Sequence, residues 1–127
     1  MLEQSPHPLD GFRVLLVEDE YVIAADLAYM LEEVGIVVIG PAASVSDAIE
    51  LIRAHENELD GAILDINLGH ERVFPVADVL IASNIPFVFA TGYSRAVVPD
   101  RYSTFPRYEK PVDRDLLLRG LLRAEAD

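Results

Sequence analysis

Four short stretches of this chain place chemically useful side chains directly behind an apolar run. Glu18, Asp19 and Glu20 follow Arg13-Val-Leu-Leu-Val17. Asp65 follows Gly61-Ala-Ile-Leu, Thr91 closes Pro86-Phe-Val-Phe-Ala, and Lys110 closes Phe105–Glu109. Carboxylates brought this close repel, and at least one takes up a proton unless a cation intervenes. A hard divalent cation with oxygen ligands is the natural resolution, and Mg²⁺ keeps waters beside one or two carboxylates. A lysine adds a fixed positive charge and a threonine adds a hydroxyl donor. Such a set describes a pocket for a dianionic, tetrahedral group next to an exposed carboxylate.

That chemistry requires elements that carry all the groups to one place. Arg13–Val17 is an unbroken, valine-rich run of strand length, as expected of a strand covered on both faces. Ile23, Leu27, Met30, Leu31 and Val34 recur at helical spacing, and Gly35 stands where that helix must stop. A second strand is expected at Ile36–Ile39, closed by Gly40-Pro41. Ser44 and Asp47 form a capping box ahead of Val45, Ala48, Ile49 and Ile52, a second helical face. Gly61–Asp65 is a third strand, and 67–72 reads as a polar loop. Val73, Val76, Ala77 and Leu80 give a third helix, with Pro75 tolerated in its first turn. A fourth strand runs 86–91. The stretch 92–104 has no clean period and is broken by Gly92 and Pro99, leaving room for at most one short helix. Phe105–Glu109 is an edge-strand candidate because of Pro106, and Asp113–Arg123 is a last helix with Leu117 and Leu121 inward. Strand and helix alternate five times. The predicted class is therefore α/β: a doubly wound, five-stranded parallel sheet with helices on both faces. In such sheets functional groups gather at the carboxyl ends of the strands, where these residues fall.

Composition excludes other classes. The 127 residues carry 22 Asp+Glu against 10 Lys+Arg, a formal net charge of -12. Nucleic acid and anionic membranes require positive charge, so neither is an expected partner. The absence of cysteine removes thiol catalysis and thiolate metal sites. The first eleven residues lack the cationic start and apolar stretch of a signal peptide and read as a flexible lead-in, so a cytoplasmic location is the default expectation. His7, His55 and His70 share no metal-ligand spacing and are read as solvated. Residues 1–100 hold 17 acidic and 4 basic residues, whereas 101–127 hold 5 and 6. The mildly basic end, with Arg101, Arg107, Arg114, Arg119 and Arg123, is a candidate docking face. A flavin protein of similar fold would need Gly, Ser and Thr where Glu18-Asp19-Glu20 stands, and no G-x-G-x-x-G follows the first strand for a dinucleotide.

From about Phe12 to Arg123 the chain resembles the receiver domains of two-component response regulators. The matching strings are VLLVEDE (14–20), AILDINL (62–68), FVFATGY (87–93) and EKP (109–111). The FATGY string, with its long gap to KP, is similar to the single-domain "FAT GUY" receivers. The resemblance implies a flavodoxin-like strand order of 2-1-3-4-5 and an Mg²⁺ cofactor. It implies Asp65 as phosphoacceptor, Asp19 as a direct metal ligand and Glu18 as one acting through water. The main-chain carbonyl of Asn67 would supply a further ligand, while Thr91 and Lys110 would hold the phosphoryl group. It also implies a histidine kinase or histidine phosphotransfer protein as donor. Such a domain is not a dedicated enzyme, although it catalyses its own aspartyl phosphorylation and dephosphorylation. Only four residues follow Arg123, so no output domain is expected, and a stand-alone regulator, monomeric or weakly dimeric, would signal by contact or onward transfer. The alternative is a receiver-fold module that docks without being phosphorylated. One departure from the family pattern concerns the aromatic three residues before the lysine. Here Arg107 holds that position, and Tyr108 points to the opposite face of the strand. Tyr93 is the expected replacement and a candidate shield for the acyl phosphate.

Overall fold

The computed structural model describes residues 7–92 and 98–126, with side chains to Arg123. Tyr93 therefore lies outside the described residues. Among these described residues, seven strands and four helices follow in the order β1 (Arg13–Val17), α1 (Tyr21–Glu32), β2 (Val37–Ala42), α2 (Val45–Ala54), β3 (Gly61–Asp65), β4 (Asn67–Leu68), β5 (Glu71–Arg72), α3 (Phe74–Ala82), β6 (Phe87–Thr91), β7 (Arg107–Glu109) and α4 (Arg114–Ala126), with a 3-10 turn at Asp100–Tyr102 before β7. Five strands form one parallel sheet in the order β2-β1-β3-β6-β7. With the small β4–β5 hairpin set aside, this is the expected 2-1-3-4-5 order.

Every residue of β3 and β6 is buried, as continuous apolar runs between two helical layers require. One face of the sheet packs against α2 and α3 through Ala48, Ile52, Val76, Ala77 and Leu80. The other face packs against α1 and α4 through Leu27, Leu31, Leu117, Leu118 and Leu121. The first core carries most of the aromatic mass. Phe74 stacks on Tyr102 at 5.1 Å between ring centroids, and Phe87 stacks on Phe105 at 4.1 Å.

Several details differ from the sequence expectation. Gly40 and Pro41 lie within β2 rather than closing it, at a register shift where β1 pairs with β2. Gly40 adopts φ +107°, and a Cβ there would sit 2.8 Å from the Leu16 carbonyl oxygen, so only glycine lets the two strands approach. The 67–72 loop is the antiparallel hairpin β4–β5. Its Glu71 reaches the start of α2 and accepts from the Val45 amide at 3.1 Å, while Ser44 Oγ accepts from Asp47 N at 3.1 Å. Two of the unpaired amides at that helix start are thereby satisfied. In the lead-in, Leu9 is fully buried against α1 and β1, and the Gly11 amide donates to the Gly35 carbonyl at 2.8 Å. From His7 onward, then, this segment is docked, because one leucine can fill the end of the α1 core. Among the described residues no helix is long and apolar enough to cross a membrane.

Candidate phosphoacceptor site

The carboxyl ends of β1, β3 and β6 lie side by side, since β3 pairs with both neighbours in register. Glu18 and Asp19 leave β1, Asp65 ends β3, and Thr91 ends β6. Lys110 follows β7, and its amide donates to the Thr91 carbonyl at 2.8 Å, which fixes where the lysine departs from the sheet. Glu18, Asp65 and Thr91 are all buried, whereas Asp19 is exposed at the mouth.

Glu18, Asp19 and Asp65 can each direct one oxygen so that all three atoms lie within 4.8 Å of one another. Among the described residues no histidine joins this group. Lys110 Nζ donates to Glu18 Oε1 and stands 3.2 Å from Asp65 Oδ2. Asp65 Oδ1 accepts from the Asn67 amide at 3.3 Å, and Glu18 Oε2 accepts from the Glu20 amide at 3.1 Å. One lysine thus serves two buried acids, with a third acid at the rim. Burial pushes the Glu18 carboxyl up to about 7, and neighbouring Asp65 adds to the rise, while Lys110 and the Glu20 amide oppose it. Burial alone would lower Lys110, but the Glu18 hydrogen bond and the Asp65 charge outweigh it and hold the ammonium above its ordinary value.

This donor set suits a hard cation. All its ligand atoms are oxygens, the acids outnumber the lysine, and Glu18 is short of positive charge. Asn67 Oδ1, two residues beyond Asp65, is buried without a hydrogen-bond partner. The buried acidic cluster could therefore hold a metal, and its hardness is consistent with Mg²⁺.

The structure brings together Glu18, Asp19, Asp65 and Lys110, with Thr91 and Asn67 on the adjoining backbone. It separates the five arginines. Arg101 pairs with Asp78 of α3 at 3.5 Å and lies 4.4 Å from the Tyr102 ring centroid. Arg107 lines a cleft with Phe89, Tyr102 and Phe105 on the α2/α3 side. Arg114, Arg119 and Arg123 ride on α4, on the opposite side. A single basic C-terminal face is therefore not formed, because alternate strand residues and the two helical layers direct these side chains apart. Tyr108 packs with the α1/α4 core over Gly120, where a Cβ would meet its hydroxyl at 2.1 Å, so it indeed points away from the Arg107 side.

The aromatic that the sequence reading missed is Tyr102. It is fully buried, and its hydroxyl donates to Asp78 Oδ1 and to the Phe74 carbonyl. The one local hint was an aromatic residue between breakers at 92–104. Its partner Asp78 lies 24 residues away.

No protein-family model matches the chain. Individual proteins do. SdrG from Sphingomonas melonis Fr1 is 40% identical, with a TM-score of 0.75 over 88% of this chain and 97% of its own. A structure of SdrG in its BeF3-activated conformation, from Pseudomonas melonis Fr1, is also 40% identical, with a TM-score of 0.70 over 88% of this chain and 93% of its own. The signal receiver domain of a modulated diguanylate cyclase from Desulfovibrio desulfuricans G20 is 31% identical, with a TM-score of 0.80 over 92% of this chain and 95% of its own. The phyllosphere-induced regulator PhyR of Methylorubrum extorquens is 36% identical over 99 residues, 76% of this chain but 34% of PhyR. The chain spans less than half the length of the curated relatives it matches. Fold, site and these likenesses agree: the chain belongs to the receiver domains of response regulators, the regulatory half of two-component signalling.

Proposed function

We propose that this receiver takes a phosphoryl group on Asp65 and signals by protein contact or by passing the group onward. The observation that carries the reading is the convergence of three carboxylates and one lysine at the strand ends, with oxygens within 4.8 Å and Lys110 3.2 Å from Asp65. A bound Mg²⁺, held by Glu18, Asp19, Asp65 and the Asn67 carbonyl, would neutralise charge on the transferring oxygens.

The chain's own residues supply the remainder. The Asn67 amide, donating to Oδ1, fixes the plane of the Asp65 carboxylate. An Asp65 oxygen attacks the phosphorus of a phosphohistidine in line. The P–N bond breaks, its electron pair stays on the imidazole nitrogen, and that nitrogen takes a proton from solvent. Lys110 already stands beside Oδ2 and would pair with the arriving phosphoryl oxygens, and the Thr91 hydroxyl would donate to one of them. Positioning and electrostatics carry such a transfer. The product is an acyl phosphate with about -1.5 to -2 charge, enough to draw Thr91 and Lys110 inward. Glu18 keeps Lys110 charged and on this side of the site. Support also comes from a relative 40% identical to this chain, described in a BeF3-activated conformation. The donor would be a histidine kinase or histidine phosphotransfer protein acting in the cytoplasm, and the domain would act as a stand-alone regulator.

Incubation with Mg²⁺ and acetyl phosphate, followed by intact mass, tests this reading. Wild type should gain the mass of one phosphoryl group and Asp65→Asn should not. An equal gain in the variant would reject Asp65 as the acceptor. No gain in wild type would favour the docking module.

A further inference from the structure

On α1, Ile23, Asp26, Leu27 and Met30 recur at i, i+3, i+4 and i+7, so the four lie along one face of the helix. Opposite them runs the segment that leaves β7, Lys110, Pro111 and Val112. Between the two lies an open cleft of about 500 Å³ lined by these residues. All of them except Asp26 and Lys110 are apolar. Ile23, Met30 and Val112 pack on the α1/α4 core yet stay only half-buried, so the cleft is a gap in the cover of that core.

Its two charged residues differ in what they can offer an occupant. The Lys110 ammonium is engaged by Glu18 and Asp65. Asp26 is exposed and takes part in no ion pair among the described residues. It stands in the interior of α1, where aspartate is an unfavourable residue and caps nothing. That helix carries no basic residue, and Asp19 lies exposed before its start. The field in the cleft is therefore negative, as is the net charge of -12, so an anion is repelled and a cation drawn in.

We propose that this cleft binds a small hydrophobic ammonium compound, its cation on Asp26 and its apolar body on Ile23, Leu27, Met30 and Val112. The volume falls within the range of about 300–1,000 Å³ typical of small-molecule sites, which pair an apolar lining with a few polar groups that fix orientation. The Met30 thioether favours an aromatic ring in the apolar part. The inference is independent of phosphoryl chemistry at Asp65.

Titration of isotope-labelled protein with phenylbutylamine, read by the chemical shifts of its backbone amides, tests the site. Wild type should show saturable shifts confined to α1 and the Lys110–Val112 segment, with a dissociation constant of about 1 mM, the scale for a ligand of this size. Phenylbutanol, which lacks the charge, should bind about 5-fold more weakly, the most that an exposed ion pair contributes, and phenylpentanoate more weakly still. Asp26→Asn should lose the same factor for the amine and leave the alcohol unchanged. Glu50→Gln removes a like charge from α2 on the opposite face and should alter neither. Both variants replace exposed residues, and the dispersion of the same spectra checks their fold. No saturable shift up to about ten times the expected constant overturns the inference and leaves the cleft to a protein side chain. So do amine, alcohol and acid that bind alike, an Asp26→Asn that binds the amine like wild type, or a Glu50→Gln that loses as much.

Discussion

Substituting Glu18 with glutamine should stabilise the metal-free protein, in a way that depends on pH. Glu18 is 2% exposed, and burial pushes its carboxyl from 4.5 to about 7. A carboxyl raised on folding contributes stability that is complete below pH 4.5 and lost as pH rises through about 7. Glutamine is neutral throughout and matches the protonated acid in shape. The two proteins should therefore be alike at pH 5 and diverge by pH 8. At about 1.4 kcal/mol per pH unit, the gap between 4.5 and about 7 comes to about 3 kcal/mol. Lys110 loses one of its two acidic partners in the variant, which reduces the expected gain to about 2 kcal/mol. At this chain length that corresponds to about 6–10 °C in Tm. Urea unfolding in EDTA at both pH values reads the difference. Millimolar Mg²⁺ at pH 8 should then stabilise wild type more than the variant, because the ionised Glu18 is a better cation partner. A variant no more stable than wild type at pH 8, or one equally advantaged at pH 5, would refute the account of the buried acids.

Other perturbations follow from the same structure. Lys110→Ala should slow acetyl-phosphate labelling of Asp65 by about 100-fold, the scale of losing one charge-stabilising donor, read by intact mass against time. Its cost in urea should be larger at pH 8 than at pH 5, where Glu18 holds its own proton. Tyr102→Phe deletes the hydroxyl that donates to Asp78 and should cost about 1.5 kcal/mol in urea, the low end for a bond to a charged acceptor, because Asp78 is half exposed and keeps Arg101. Gly40→Ala meets both a φ of +107° and the Leu16 carbonyl oxygen at 2.8 Å and should cost at least about 2 kcal/mol in the same assay.

The layout of the sheet was legible because burial on both faces writes itself locally. Val14–Val17, Ala62–Leu64 and Phe87–Ala90 are unbroken apolar runs, and they are the interior of β1, β3 and β6. The strand-end acids were legible for the complementary reason, that charge directly after such a run must sit at the sheet's edge. What escaped depends on residues far apart in the chain. Glu71 covers an amide 26 residues away, and so a stretch that looks like a polar loop is pinned as a hairpin. Tyr102 is held by Asp78, and Leu9 is buried by a core that the lead-in itself says nothing about. The arginines cluster in sequence yet divide between two layers, since charge counts carry no direction.

The most direct measurement is to locate the phosphoryl group itself. Acetyl phosphate with Mg²⁺, then borohydride, converts an aspartyl phosphate to homoserine, which peptide mass mapping assigns to a residue. The account predicts homoserine at position 65 alone, lost when EDTA replaces Mg²⁺. Labelling at Asp19 instead, or labelling of Asp65 undiminished by EDTA, would contradict it.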